Sequence, residues 1–547
     1  MLQALNLPDK YRLKPASPMA LPAVLPDDVN RLKALLHTLH ETHVRTLERT
    51  QQQANANIVR MYEEMFEQMV LMRQRLFGRS SEQHAGQARL FDEAELLAAQ
   101  PEVPESEAPE VAVPDTAPSD APSATPKKAR GCRAPLPAEL PRVDIVHEVP
   151  EAERLCPCGT PMVEIGQEIS EQLDIVPMKV QVLRHIRKRY GCPDQAHAPV
   201  TALLPAQPLP KSNASPNLLA MLLTVKYADG LPLARFEKVL DRHGAHIPRQ
   251  TLARWTIGTG KLFQPLHNLA RDTLYDGAFV HIDETEVQVL KEAGREASAK
   301  SYMWVQAGGP PDRPVILYDY EARRNSEVPL RLLADYRGYV MSDGYKGYNE
   351  LAGKPGIEHL VCMAHARRHF VDAARVQAKG KRGRADEAIE LIKGLYQIER
   401  EIQGLSDEDR HSVRQDRSKA QLDMLKAWLD KALPAVPPHN ALGQALQYLA
   451  KYWPKLIRYI ERGDLPIDNN RVERAIRPFV IGRRSWLFSD TPAGAHASAV
   501  IYSMIETAKA NGVEPYLWLS NVIRELPAAK TADDYEALMP WNLNLKR

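Results

Sequence analysis

Apolar residues recur along this chain with two periods, and the switch between them divides it. From Asp27 to about Phe77, with hardly a glycine or proline, the spacing is helical. Ile58, Tyr62, Met65, Met69, Met72 and Leu76 alternate four and three apart, which is a heptad seam. Leu32, Leu36 and Leu39 begin a similar seam, but the polar run Gln51 to Asn57 breaks it. This predicts a coiled coil or helical hairpin used for self-association. The alternative is an amphipathic helix packed on its own protein.

Between Gly277 and Asn349 the pattern turns to strand. Phe279 to Leu290, Tyr302 to Ala307 and Val315 to Tyr320 are rich in Val, Ile and Tyr, with the turn signal Gly308-Gly309-Pro310-Pro311 between two of them. Three hairpin-like strands, a helix over Val328 to Tyr336 and a further strand ending at Asp343 have the order of a ribonuclease-H-like α/β core. Helical pattern then runs from about Val371 to Arg462, with breaks at Gly380 to Arg384 and Pro434 to Pro438, and reads as an insertion. Ala497 to Ala510 and Pro515 to Leu526 are helical again. Upstream, Leu233 to His243 is one helix, Gly244-Ala245-His246 a turn, and Pro248 to Trp255 opens another, the outline of a helix-turn-helix.

A chain of 547 residues is too long for one core. The expected organisation is multidomain α/β: a loose arm over 1–26, a coiled-coil segment over 27–91 and an acidic, proline-rich linker over 92–135. A zinc-finger-like domain (136–210) and a helix-turn-helix-like region (211–275) follow. The ribonuclease-H-like core occupies 276–370 and 463–495, split by the helical insertion 371–462 and followed by a helical end, 496–547. The net charge of +2 hides a segregation, since 92–126 contains neither Lys nor Arg and gives way to Lys127-Lys128-Ala129-Arg130. With no apolar run of membrane length, the expectation is a soluble, unexported, cytoplasmic protein.

The candidate chemistry begins at Asp283, an acid just past the apolar run Val280-His281-Ile282. A buried carboxylate is costly to ionise unless a cation offsets it. Asp343 stands at a second strand end and Glu473 at a helix start. Three carboxylates from separate elements suit a pair of divalent cations, and such a pair both activates an attacking oxygen and stabilises a leaving one in phosphodiester transfer. Magnesium or manganese, two ions per site, is therefore expected. Glu284 rivals Asp283 but should point to the opposite face. Asp319 is a lesser rival, and Asp468 suits a helix cap better than a metal.

Around these acids, Arg471, Arg474, Arg477, Arg483 and Arg484, with His365, Arg367 and Arg368, are candidate contacts to DNA phosphates; a solvated charged face is the alternative. Arg249, Gln250, Thr251 and Arg254 at the start of the second helix of the helix-turn-helix could read base edges or take phosphates. Cys362 and His365 form a C-x-x-H pair, read as a buried structural pair. Trp453 is expected in a core, with stacking on a base as the rival. Cys156, Cys158, Cys192 and His197 offer a structural zinc set with degraded spacing, against a folded domain that has lost its metal. Cys132 is read as a free thiol.

Several blocks carry a resemblance: HIDETEVQVL at 281–290, SDGYKGYN at 342–349, CMAHARRHF at 362–370 and DNNRVERAIRPFVIGRRSWLF at 468–488. Others are RLFGRSSEQ at 75–83, PKSNASPNLLA at 210–220 and KYADGLPLARFEKVL at 226–240. The chain resembles transposases of the insertion-sequence-66 family, a bacterial group using the DDE mechanism, over most of its length from about Asp27. The resemblance implies that Asp283, Asp343 and Glu473 are the DDE acids, and Glu286 replaces a proline expected after the DET triplet. It also implies a small zinc-finger-like domain with a further cysteine pair in its second half, where this chain has only Cys192.

The expected function is binding of an element's terminal inverted repeats, metal-dependent end cleavage and strand transfer. Alternatives are a structure-selective nuclease on the same fold and a non-catalytic DNA-binding regulator. Expected partners are double-stranded DNA at element ends and target, a second copy in a homodimer or higher oligomer, and small accessory proteins, with no membrane. A nucleoid-associated location follows from these partners.

Overall fold

The computed structural model describes residues 28–77, 178–190, 200–201, 204–376 and 382–543. The expected arm, the acidic linker and Cys132, Cys156, Cys158, Cys192 and His197 lie outside the described residues. The chain divides into two units, Met1–Gly78 with Val180–Arg547, and Arg79–Lys179. All helices and strands among the described residues belong to the first unit.

Helix α1 (Val29–Phe77) is one unbroken run of 49 residues. The helical hairpin is thereby corrected. The polar stretch Gln51 to Asn57 interrupts the apolar seam without interrupting the backbone, because it contains neither glycine nor proline. Leu36, Ile58, Tyr62, Met65, Met69 and Met72 on this helix are 45–62% exposed. Polar contacts join it to the rest of the unit: Glu67 Oε2 accepts from the Ala441 amide at 2.8 Å, and Glu64 lies 3.6 Å from His439. A short antiparallel pair, β1 (Arg189–Tyr190) and β2 (Val200–Thr201), comes next.

Helices α2 (Pro216–Leu223), α3 (Leu233–Arg242), α4 (Arg249–Leu262) and α5 (Gln264–Tyr275) follow. Ser215 Oγ caps α2 by accepting from the Leu218 amide at 3.2 Å. The turn between α3 and α4 passes through Gly244 at φ +78°, and Glu237 on α3 accepts from the Arg249 amide at 2.9 Å, tying the two helices together. Phe236, Leu240, Leu252 and Trp255 are buried beneath them.

The sheet that follows has five strands: β3 (Phe279–Gln288), β4 (Lys300–Gly308), β5 (Val315–Glu321), β6 (Gly338–Ser342) and β7 (Ile357–Val361). Their order is β5-β4-β3-β6-β7. The first three form an antiparallel meander, and β6 and β7 add in parallel to β3. Helix α6 (Glu327–Leu332) makes the crossover and is shorter than the predicted Val328 to Tyr336. The sequence pattern predicts no strand over Ile357–Val361, since Glu358 and His359 interrupt its apolar run.

Helices α7 (Met363–Arg375), α8 (Arg384–Glu401), α9 (Asp407–Val413), α10 (Lys419–Ala432) and α11 (Ala441–Leu456) then leave the sheet. Ile392, Leu395, Leu425, Leu446 and Leu449 from this group share one core with Met341, Leu360 and Val361 at the ends of β6 and β7. Burying such side chains contributes about 1.5–3 kcal/mol each, so these helices are anchored where the parallel strands end. Trp453 is half-buried against the same core, as the core alternative expects.

Helices α12 (Asn470–Trp486), α13 (Pro492–Ala510), α14 (Pro515–Glu525) and α15 (Ala532–Ala537) complete the chain. Helix α13 covers the free edge of β5. Ser503 Oγ accepts from the Tyr318 amide at 2.7 Å, and Thr507 Oγ1 accepts from the Ile316 amide at 3.0 Å while donating to its carbonyl. Side-chain hydroxyls thus replace a sixth strand, which blunts an edge that would otherwise pair with other chains. Gly260 lets α13 close on α4, because a Cβ there would meet Ala497 at 2.7 Å. Among the described residues no helix is long and apolar enough to cross a membrane.

Candidate active site

Strands β3 and β6 run in parallel with His281 opposite Met341. Asp283 lies two residues further along β3, and Asp343 is the residue just past the end of β6, so the same register leads the two acids towards each other where the pairing ends. Adjacent strands lie about 4.8 Å apart. Asp343 Oδ1 accepts from the Tyr345 amide at 2.8 Å, which fixes the turn after β6. Helix α11 fixes it from outside, since Tyr452 OH donates to the Gly344 carbonyl at 2.6 Å. A Cβ on Gly344 would meet the Tyr448 ring at 2.5 Å, so glycine is needed for this close approach.

The third acid, Glu473, sits in the first turn of α12. The residue that places this helix is Asn469, which has no exposed surface. Its Oδ1 lies 2.9 Å from His281 Nδ1, its Nδ2 donates to the Ile282 carbonyl at 3.1 Å, and its amide donates to Cys362 Sγ at 3.1 Å. One side chain therefore ties the helix start to β3, and one thiol ties it to the start of α7. Asp468 accepts from the Asn470 amide at 3.1 Å, a cap-like role taken one residue before the helix boundary residue Asn469. A helix N-terminus beside the acids favours a phosphate there.

Burial pushes the Asp283 carboxyl well above the usual range, and the charges of Glu284, Asp343 and Glu473 push the same way. The Glu284 amide, donating to Asp283 Oδ1 at 2.8 Å, opposes this. Glu473 Oε1 is buried and accepts no hydrogen bond; His365 Nδ1 stands 3.8 Å from it, and Arg368 Nη2 stands 3.7 Å from Oε2. Hard oxygen donors, mutual repulsion and an orphaned carboxylate oxygen are the chemistry of a divalent-cation site. Among the described residues the donor atoms of Cys362, His365 and Glu473 all lie within 4.8 Å of one another, whereas those of Asp283, Asp343 and Glu473 do not form such a group. Burial pushes the Cys362 thiol up to about 12, and its sulfur already accepts from Asn469, so it serves structure.

The rivals separate on geometry. Glu284 turns to the other face, where Arg324 and Tyr348 OH both donate to it and its side chain is 1% exposed. Both Asp319 oxygens accept from Arg271 Nη2, at 2.7 and 2.9 Å, and Oδ2 accepts a further bond from Gln306. Each has a partner within the fold.

The candidate DNA-contacting residues divide by exposure. Arg249, Gln250, Arg254, Arg368, Arg474, Arg477 and Arg484 are exposed, while Thr251, His365, Arg367, Arg471 and Arg483 are half-buried. Arg471 points inward, donating to the Gly308 carbonyl at 3.2 Å, and Arg483 lies over β3, 3.4 Å from Thr285 Oγ1. Sequence reasoning missed Asn469, although an Asp-Asn-Asn run ahead of a helix was a usable signal. It also missed Arg324, which lies over the Tyr345 ring at 3.7 Å and holds Glu284.

Comparison with known families agrees along the chain. Residues 211–497 match the model described as Transposase IS66 family, and 503–541 match the IS66 C-terminal element. Residues 153–194, which include Cys156, Cys158 and Cys192 but not His197, match a zinc-finger binding domain of transposase IS66. Residues 65–145 match a model described as Transposase C of IS166 homeodomain. The uncharacterized protein y4jD of Sinorhizobium fredii is 32% identical over 448 residues, covering 79% of this chain and 87% of its own length. A second uncharacterized protein of that organism, y4qI, is 33% identical over 429 residues, 76% of this chain and 78% of its own. The chain belongs to the IS66 family of transposases.

Proposed function

We propose that this transposase cuts the ends of its element and joins them to target DNA at one site built from Asp283, Asp343 and Glu473. The observation that supports this is the β3–β6 register, in which Asp283 and Asp343 each lie two residues past the His281–Met341 partners, together with Asn469, which ties the start of the helix of Glu473 to the same strand. The order β5-β4-β3-β6-β7, with three antiparallel strands and two parallel ones, supports a ribonuclease-H-like core.

Magnesium or manganese bound by these carboxylates would supply charge neutralisation at the phosphate and an activated attacking oxygen. The protein's own part is to hold three mutually repelling acids in place and to present cations to the DNA backbone. In the first reaction water attacks phosphorus and the bond to the 3′ oxygen breaks, freeing a 3′-hydroxyl. In the second that hydroxyl attacks a target phosphorus and displaces another 3′ oxygen, so one bond is exchanged for another and no energy source is consumed. Helix α1, with its exposed apolar seam, would pair two copies so that both element ends are held together. Cys156, Cys158, Cys192 and His197 would bind one structural zinc.

Incubating the full chain with magnesium, a duplex from the DNA flanking its gene and a plasmid target tests this. Joined product is expected. Cleavage without joining would favour the structure-selective nuclease instead.

A further inference from the structure

The exposed side of α12 carries a pattern that the acids do not use. Arg474, Arg477, Ile481 and Arg484 follow one another at intervals of three and four, and all four are exposed, with Phe488, also exposed, just past the helix end at Trp486. Residues so spaced share one face of a helix. The stripe begins one residue after Glu473, and from Arg474 to the helix end at Trp486 the helix leads away from it for about 18 Å at 1.5 Å per residue. It ends in a pair of large apolar side chains, Leu487 at 63% and Phe488 at 44% exposure.

That tip is held firmly and at a cost. Leu487 adopts φ +66°, one of two non-glycine residues with positive φ among those described. Such a conformation is strained for a residue other than glycine and collects at ligand clamps. The Leu487 amide donates to the Arg483 carbonyl at 2.7 Å and the Phe488 amide to Trp486 at 2.9 Å. Ser489 then adds to the end of β3, its amide donating to Gln288 at 2.9 Å, while Ser489 accepts from Leu290 at 3.0 Å. Both sides of the turn are thus anchored to rigid elements, yet its two apolar side chains face outward.

We infer that Leu487 and Phe488 form an apolar wedge that takes a nucleobase of the bound DNA, unstacked about five nucleotides from the phosphate at the acids. The arginines identify the occupant. Arg474, Arg477 and Arg484 along the same face suit a backbone carrying one charge per about 3.4 Å of strand, and a flat apolar surface at the end of such a track suits a base. Anchoring a base there would fix how far the strand enters the site. This inference rests on the transposase acting on DNA.

The test uses full-length protein and duplexes from the DNA flanking its gene, with 2-aminopurine placed at one position per duplex. Anisotropy reads binding and 2-aminopurine fluorescence reads unstacking. Wild type is expected to bind and to raise fluorescence at one or two positions, as unstacking does. Phe488→Ala and Leu487→Gly should abolish the rise and weaken binding by about five- to 150-fold, the span that base stacking covers. Leu487→Gly is the control for folding, since glycine relieves the positive φ and Tm should not fall. Binding with no fluorescence rise, or a rise that both variants keep, would overturn the wedge and leave the DNA reading standing. A changed oligomeric state in the variants would make the tip a protein contact and also overturn it. Absence of binding by wild type would overturn both.

Discussion

Asp283 and Asp343 each stand two residues beyond the His281–Met341 partners, where two parallel strands cease to pair. This relationship explains why burial and the Asp343 charge together hold the Asp283 carboxyl above its usual range. Two acids so placed repel each other in the metal-free protein, and a divalent ion at the proposed site would turn that repulsion into a ligand set.

Removing one charge should therefore stabilise the metal-free chain. Asp283→Asn is expected to raise its stability by on the order of 1 kcal/mol and to abolish cleavage. Magnesium should raise Tm in wild type and not in this variant. Calorimetry with and without magnesium checks both, and an equal magnesium shift in the two proteins would remove Asp283 from the metal site.

Asn469 acts through the elements it joins. Asn469→Ala leaves His281 Nδ1 and the Ile282 carbonyl unpaired, which costs about 1–3 kcal/mol, and frees the start of α12 from β3. Cleavage should fall at least about tenfold while DNA affinity stays unchanged, the pattern expected when a positioned group loses alignment. Unchanged cleavage in this variant would show that Glu473 needs no such tie.

The fold should be sensitive to mild acid through His359. Burial, with Lys455 Nζ at 2.9 Å from its Nδ1, lowers this histidine to about 3, and its Nε2 lies 2.8 Å from Ser342 Oγ. Above the unfolded value near 6.5 both states are neutral and the stability is fully present. As pH falls from about 6.5 towards 3 only the unfolded chain takes the proton, so stability is lost at about 1.4 kcal/mol per pH unit from this group. Urea unfolding between pH 7 and 5 should show a shallower slope in His359→Gln; the same slope would assign the loss elsewhere.

The seam of α1 should govern self-association. Met65→Glu with Met69→Glu places charges on two residues that are 58% and 57% exposed, so folding of the single chain should be unaffected. Sedimentation equilibrium is expected to show a smaller assembly than wild type. An unchanged mass would place the contact between copies elsewhere.

Much of this was legible because local pattern and tertiary role coincide. The strands carrying Asp283 and Asp343, the helix of Glu473 and the α3–α4 pair follow from apolar runs and turn residues. Strand β7 was hidden because Glu358 and His359 break its pattern, and His359 is tolerated only where Ser342 and Lys455 meet it. The role of Asn469 was hidden for the same reason, since its partners lie 187 and 188 residues away and sequence spacing says nothing of them. The unbroken α1 shows the reverse case. An apolar seam can stop while the backbone hydrogen bonds continue.

Whether the three acids share metal ions is tested most directly by anomalous diffraction from crystals of the full chain grown with duplex DNA and soaked in manganese. Peaks bounded by carboxylate oxygens of Asp283, Asp343 and Glu473 are expected. Manganese bound elsewhere, or at Cys362 and His365 without the two aspartates, would contradict the proposed site.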